Sequence, residues 1–181
     1  MKTYQQLNKF QLPPNFRGKG AVIVQLWWLV QGTLFACSPQ FMYGWRRFLL
    51  RSFGATIGKN VIIRPTVRAQ FPWKISIGDN SWIGDEVILY SLGEIKIGNN
   101  VVISQRSYIC TGTHDAFKET FDISSHKIII EDQCWLATDV FVAPGIIIGR
   151  GTVVGARSSV FKSLPAGKIC MGQPAQVIKD R

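Results

Sequence analysis

Residues 130–160 read IEDQCWLATDVFVAPGIIIGRGTVVGARSSV, and every sixth position from Ile130 is a branched aliphatic: Ile130, Leu136, Val142, Ile148, Val154 and Val160. The same step runs through Ile57 and Ile63, then Ile77, Ile83 and Leu89, then Ile97, Ile103 and Ile109. A side-chain period of two makes a half-buried strand, and 3.6 makes a helix. Six fits a short strand followed by a corner, repeated. Self-similarity at this period marks an all-β parallel β-helix. Three hexads close one triangular coil of 18 residues, and coils stack by parallel pairing about 4.8 Å apart.

Four residues after each inward aliphatic, the side chain faces a tight inner corner. Small or β-branched residues suit it: Val61, Val67, Ser81, Val87, Val101, Ser107, Thr113, Cys134, Val140, Thr152 and Ser158. Gly and Asn fall where the chain must turn, at 58–60, 78–80, 98–100 and 149–151, since both tolerate positive φ. Ile57 to Ile77 and Ile77 to Ile97 are 20 residues each, one coil plus two. The extra residues lie near Phe71-Pro72 and Leu92-Gly93, where bulges are expected. Ile97 to Ile130 is 33 residues, one coil plus fifteen. A long loop therefore leaves the coil after Ile109 and rejoins it before Ile130. Such a loop in a regular solenoid points to function. The repeat alone leaves the hand of the coil open, although parallel crossovers are right-handed in about 98% of cases.

The chain has 181 residues, enough for one solenoid domain and an N-terminal segment. Its four cysteines form no CxxC pair and no metal spacing, which reads as reduced thiols in a cytoplasmic protein. The net charge of +10 favours anionic partners. The basic residues are scattered and belong to no nucleic-acid module, so nucleic acid is not expected as a partner.

Residues 1–55 differ in kind: they hold three of the six tryptophans, no acidic residue and no hexad pattern. Ala21 to Ala36 is mostly apolar but 16 residues long, short of the roughly 20 that span a bilayer. Leu34-Phe35-Ala36-Cys37 faintly resembles a lipoprotein signal, but the 20 residues before the apolar run are long for one. Trp45 to Phe53 mixes Arg46, Arg47 and Arg51 with Phe48, Leu49 and Leu50. Two readings stay open. Residues 1–55 form a helical cap over the first coil, which a solenoid needs, or a helical hairpin resting on anionic membrane. Residues 56–181 form the β-helix domain, with the loop at 111–128 and a C-terminal tail.

The blocks at 130–137, 142–149, 154–160 and 172–179 resemble the C-terminal half of the hexapeptide-repeat acyltransferases. The stretches GWRRFLLRSFGATIG (44–58) and WIGDEVILYSLG (82–93) are similar to the branch of colanic acid and exopolysaccharide acetyltransferases. The resemblance implies a left-handed β-helix, a homotrimer, and acetyl-CoA held in the groove between coils. It implies transfer to a hydroxyl of a saccharide, with one loop histidine as general base and no metal.

Thr113-His114-Asp115 sits where the loop leaves the coil, so His114 matches that histidine. Acyl transfer to an alcohol needs a group that removes the hydroxyl proton, and imidazole, with an intrinsic pKa near 6.5, suits the task. Charge on the thioester oxygen calls for an N–H donor. No Gly-x-Ser-x-Gly elbow suggests an acyl-enzyme. The second histidine, His126, reads as structural or solvent-exposed. Asp115 is a candidate to orient the imidazole or to meet the acceptor. By resemblance, Asp85, Glu86, Tyr90 and Ser91 help hold the acceptor. Better-known sugar acetyltransferases carry an Asn and an Asp in this region, where this chain has 84–86 as Gly-Asp-Glu and 91–93 as Ser-Leu-Gly. Trp135 packs near the cofactor, backbone groups around Ala137 and Thr138 meet the pantetheine and thioester, and Ala156 lines the same groove. Ala137 stands where relatives usually have Gly. Lys162 and Lys179 reach the cofactor phosphates.

A γ-class carbonic anhydrase shares the coil but needs three metal histidines, and this chain has two. A non-catalytic scaffold and transfer to an amine or another small alcohol are the remaining alternatives.

Overall fold

The computed structural model describes residues 3–181. From Thr56 onward the chain winds through five complete coils and part of a sixth, building three parallel sheets, one per face. The registers follow the hexads. Ile57 pairs with Ile77, Ile77 with Ile97, Ile97 with Ile130, and Ile130 with Ile148 on face one. Face two stacks Ile63, Ile83, Ile103, Leu136 and Val154, then Cys170. Face three stacks Ala69, Leu89, Ile109, Val142 and Val160. Every hexad aliphatic is buried, and Ala69, outside the aliphatic pattern, fills the smaller third position of the first coil.

The inner corners hold small residues that tie one coil to the next. The Ser81 hydroxyl donates to Gly98 O at 2.8 Å and accepts from Val101 N at 3.0 Å. Ser107 does the same with Ala137 O and Val140 N. A buried hydroxyl is tolerated there because the corner presents backbone groups to it. Thr113 departs from the corner pattern: it is exposed, and Thr111 is the buried corner residue. The chain leaves the coil as a hairpin at Gly112, directly after Thr111, so Thr113 lies outside the stack. Asn60, Asn80 and Asn100 take φ near +55°, as turn residues should. At the same corner, Asp79, Asn99 and Asp132 each accept from the backbone N–H one coil below, at 2.7–2.8 Å.

Helix α1 (Ala21–Val30), a π-helical turn (Gln31–Phe35) and helix α2 (Tyr43–Ser52) lie over the open edge of the first coil. That edge has no strand beneath it, so its backbone groups need other partners. The Trp27 indole N–H donates to Ala69 O at 2.7 Å, and the Gln31 side-chain oxygen accepts from Ala69 N at 2.6 Å. Three arginines of α2 finish the work. Arg46 donates to Ile63 O, Arg47 to Val61 O and Arg51 to Ile57 O, at 2.6, 2.8 and 2.6 Å. These guanidinium groups therefore face the coil and not a lipid surface. Trp27, Phe35, Leu49 and Leu50 join the same core as the first-coil aliphatics. Among the described residues, no helix is long and apolar enough to cross a membrane. All four cysteines are free.

After Thr111 the chain departs as an antiparallel hairpin, Gly112–His114 against Ile123–Ser125, and rejoins face one at Ile128–Ile130. At the far end, Lys168–Gly172 adds to face two, and Ala175–Asp180 folds back on it.

Candidate active site

The hairpin presents His114 on its surface. His114 Nδ1 lies 2.8 Å from Phe121 O, and the imidazole stacks on the Phe121 ring at 4.3 Å and 10°. A carbonyl oxygen only accepts, so Nδ1 carries the proton and the Nε2 lone pair is left for other chemistry. Phe10, from the N-terminal segment, approaches the other side with ring centroids 6.1 Å apart. Phe121 itself holds φ +50°, an uncommon conformation for an aromatic residue. Its N–H donates to Lys118 O at 2.9 Å, and a Lys118–Asp122 ion pair at 3.0 Å braces the tip.

Asp115 does not orient the imidazole. Its carboxylate accepts from Phe117 N at 2.9 Å, and its own N–H donates to Asp122 O at 2.9 Å. These bonds shape the loop tip, and the backbone carbonyl of Phe121 takes the orienting role expected of a carboxylate. Nothing in the sequence flags a carbonyl for this, because every residue carries one. His126 is exposed, and its N–H donates to Thr111 O at 2.8 Å where the hairpin closes.

The acceptor candidates divide. Glu86 and Tyr90 line a cavity of about 870 Å³ on face three. Tyr90 is half-buried, and burial pushes its phenol pKa up. Ser91 is fully buried, and its hydroxyl donates to Phe71 O at 3.0 Å and accepts from Phe71 N at 2.8 Å. It pins the bulge of the coil and offers nothing to an acceptor. Asp85 accepts from Arg64 at 2.8 Å and from Thr66 at 3.0 Å. Its carboxyl pKa lies below the usual range: burial opposes the charge, and the Arg64 and Thr66 hydrogen bonds outweigh it. Its carboxylate thus ties two coils together while its side chain stays 41% exposed. The helical wall of the cavity, with Trp28, Gln31 and Gly32, was not legible in the sequence because residues 1–55 carry no repeat to register them against the coil.

The cofactor candidates fall on the corner between faces two and three. Trp135 is 46% exposed on face two, and its indole N–H donates to Ser104 Oγ at 3.1 Å. Ala137 N–H is committed to Val154 O, and Thr138 O accepts from Arg157 N one coil above. Ala156 is exposed at the equivalent corner, directly above in the stack. Glu86 occupies that same corner two coils below Asp139, with Arg106 in the coil between. Lys162 and Lys179 are exposed, the latter on the last strand. Among the described residues, no group of three His, Cys, Asp or Glu side chains converges as a metal site.

No family model matches the chain. It is 62% identical over 177 residues to a protein of Escherichia coli named as a colanic acid biosynthesis acetyltransferase, WcaF, covering 98% of this chain and 97% of that one. The chain belongs to the hexapeptide-repeat acyltransferase family, in its colanic acid acetyltransferase branch. Hexapeptide-repeat acyltransferases among solved structures match its fold. A maltose O-acetyltransferase from Clostridium difficile superposes with a TM-score of 0.81 at 25% identity, covering 89% of each chain. A variant of AntD, an N-acyltransferase from Bacillus cereus solved with dTDP and coenzyme A, matches with a TM-score of 0.58 at 26% identity, over 73% of this chain and 88% of that one. The β-helix of this acyltransferase is left-handed, like those of its structural neighbours.

Proposed function

We propose that this acetyltransferase moves the acetyl group of acetyl-CoA to a hydroxyl of a saccharide used in exopolysaccharide assembly, by direct attack with His114 as general base. The observation that carries the reading is the Phe121 carbonyl at 2.8 Å from Nδ1. It fixes the tautomer in which Nε2 can accept a proton. Nε2 takes the acceptor proton, the alkoxide oxygen bonds to the thioester carbon, and the C–S bond breaks as the tetrahedral state collapses. The imidazolium then returns its proton to the departing thiolate, so the enzyme ends unchanged. With the Ala137 N–H committed to Val154 O, the Thr138 N–H stabilises the oxyanion. The coenzyme A bound to the AntD variant supports the donor, and the WcaF similarity supports the saccharide pathway.

Trp135, Ala137, Thr138 and Ala156 would line the cofactor groove, with Lys162 and Lys179 toward its phosphates. Glu86 and Tyr90 would meet the acceptor. His114 lies beyond the last residues of face three, whereas Thr138 and Ala156 lie before its start. This separation across one face supports a homotrimer in which the groove of one protomer faces the hairpin of the next. Residues 1–55 would cap the first coil, and the exposed side chains Val22, Leu26 and Leu29 of α1 would rest on the inner leaflet of the cytoplasmic membrane.

The test is thiol release from acetyl-CoA with and without saccharide acceptors, in wild type and His114→Ala. Turnover that survives in His114→Ala near the wild-type rate would overturn the general base. Transfer to amines with none to hydroxyls would replace the acceptor class. Equal liposome binding by wild type and a Leu26→Gln/Leu29→Gln variant would remove the membrane contact.

A further inference from the structure

The cavity of about 870 Å³ lies between the outer side of face three and the π-helical turn. Arg68 and Tyr90 form its floor, Glu86 one side, and Trp28, Gln31 and Gly32 its helical wall. The wall is held in place by the Trp27 and Gln31 bonds to Ala69. A side-chain carbon added at Gly32 would meet nothing within 4 Å, so the backbone there opens directly on the cavity. π-Helical turns are rare and cluster at functional sites.

The charges of the cavity stand out against the rest of the molecule. Among the described residues, ten of the eleven Asp and Glu side chains have a hydrogen-bond or ion-pair partner; Glu86 has neither and feels only the charge of Arg106, one coil above. Among the described residues, eight of the ten arginine side chains have a partner; the exceptions are Arg17, on the N-terminal segment, and Arg68. Glu86 and Arg68 line the same cavity without pairing to each other. A guanidinium left open in an aromatic-walled cavity is a fork for a carboxylate or phosphate. An open carboxylate beside it accepts from sugar hydroxyls, and Trp28 offers an apolar face to a pyranose ring.

We propose that this cavity binds a saccharide bearing an acidic group, with Arg68 on the anion, Glu86 on hydroxyls and the N-terminal turn as the wall that selects it. This rests on the acceptor reading above and adds to it that the acceptor is acidic. The anion is either a sugar carboxylate or a sugar phosphate.

The experiment is equilibrium binding by the full chain, with coenzyme A present, of methyl β-glucoside, methyl β-glucuronide and glucose 1-phosphate. At low salt the acidic probes should bind about ten-fold more tightly than the neutral one. The gap should narrow at high salt. The tighter of the two acidic probes names the anion. Arg68→Gln should erase the gap and Arg68→Lys should keep part of it. Gly32→Leu should block all three probes by filling the cavity. Equal binding of neutral and acidic probes by wild type, or no binding at all, would overturn the proposal without any variant. So would a gap that persists in Arg68→Gln. Thiol release dependent on His114 reports separately on the acyl-transfer reading: acid-selective binding with no turnover sinks that reading alone, and turnover with no acid preference sinks this one alone.

Discussion

The imidazole of His114 and the backbone carbonyl of Phe121 form one unit: Nδ1 donates to that oxygen at 2.8 Å while the two rings stack 4.3 Å apart. The bond sets the tautomer and the stack sets the ring plane. Phe121 serves both purposes from a φ of +50°. His114→Ala should lower kcat by about 10²- to 10⁴-fold, the usual range for a general base. Phe121→Ala keeps the carbonyl and loses the stack, so it should cost about ten-fold in kcat, with the KM for acetyl-CoA unchanged. Steady-state kinetics on both variants checks this. A Phe121→Ala enzyme with wild-type kcat would show the stack to be incidental.

Arg46 is fully buried, and it donates to Ile63 O, Ser38 Oγ, Pro39 O and Gln40 O. Burial pulls its pKa below the ordinary arginine value, yet the ring of acceptors holds the charge. Arg46→Met removes the charge and orphans several buried oxygens at once. The expected loss is about 3 kcal/mol. For a chain of this size that is a drop of roughly 6–12 °C in the apparent Tm. Thermal unfolding followed by circular dichroism measures it, and an unchanged midpoint would contradict the cap geometry.

Coil-to-coil spacing leaves no room for a side chain at Gly98. A Cβ there would approach Asp132 N to 2.7 Å, and Asp132 is the residue that bonds Asn99 N. Gly98→Ala should therefore destabilise by about 2–4 kcal/mol, since a rigid backbone must shift. Gly20→Ala has nothing within 4 Å and no unusual φ, so it should stay within about 0.5 kcal/mol. Urea titration of both variants compares the two, and similar midpoints would refute the tight spacing.

The Arg106 guanidinium, bidentate on Asp139 across one coil, holds that carboxyl below the usual range. The folded pKa is depressed, so the pair contributes fully above the unfolded carboxylate pKa of about 3.9. The contribution is lost as pH falls through the lower, folded pKa. Arg106→Gln should raise the Asp139 pKa toward the ordinary value and move acid unfolding to higher pH. A side-chain carboxyl titration by NMR reads the shift directly. No change would mean that solvent screens the pair completely.

The coil was legible because its cause is local and repeated: each rung needs an inward aliphatic at one place and a turn residue at another. Ile57, Ile83 and Val142 could be assigned with no knowledge of their neighbours. The loop was legible as a break in that count, which brought His114 forward. Ser91 and Asp85 show what the sequence could not tell: polar residues near a corner look alike whether they face a ligand or bond another coil, and both of these bond another coil. Thr113 was misplaced because the hexad count runs on past Thr111, where the chain has already left the coil for the hairpin. Arg68 drew no notice as one basic residue among many, and what sets it apart is its place on the wall of a cavity with no bonded partner among the described residues.

Periodicity alone specified the solenoid, the inward rows and the place where the chain leaves them, since a hexad repeat buries its aliphatics by coiling, whichever the hand. The tertiary structure decided which polar groups were left over. That is a matter of who meets whom across coils and across the N-terminal helices, and no spacing along the chain encodes it. Phe121 O reaches His114, three arginines of α2 reach the bare edge of the first coil, and the side chains of Arg68 and Glu86 line one cavity with no hydrogen bond or ion pair to another described residue.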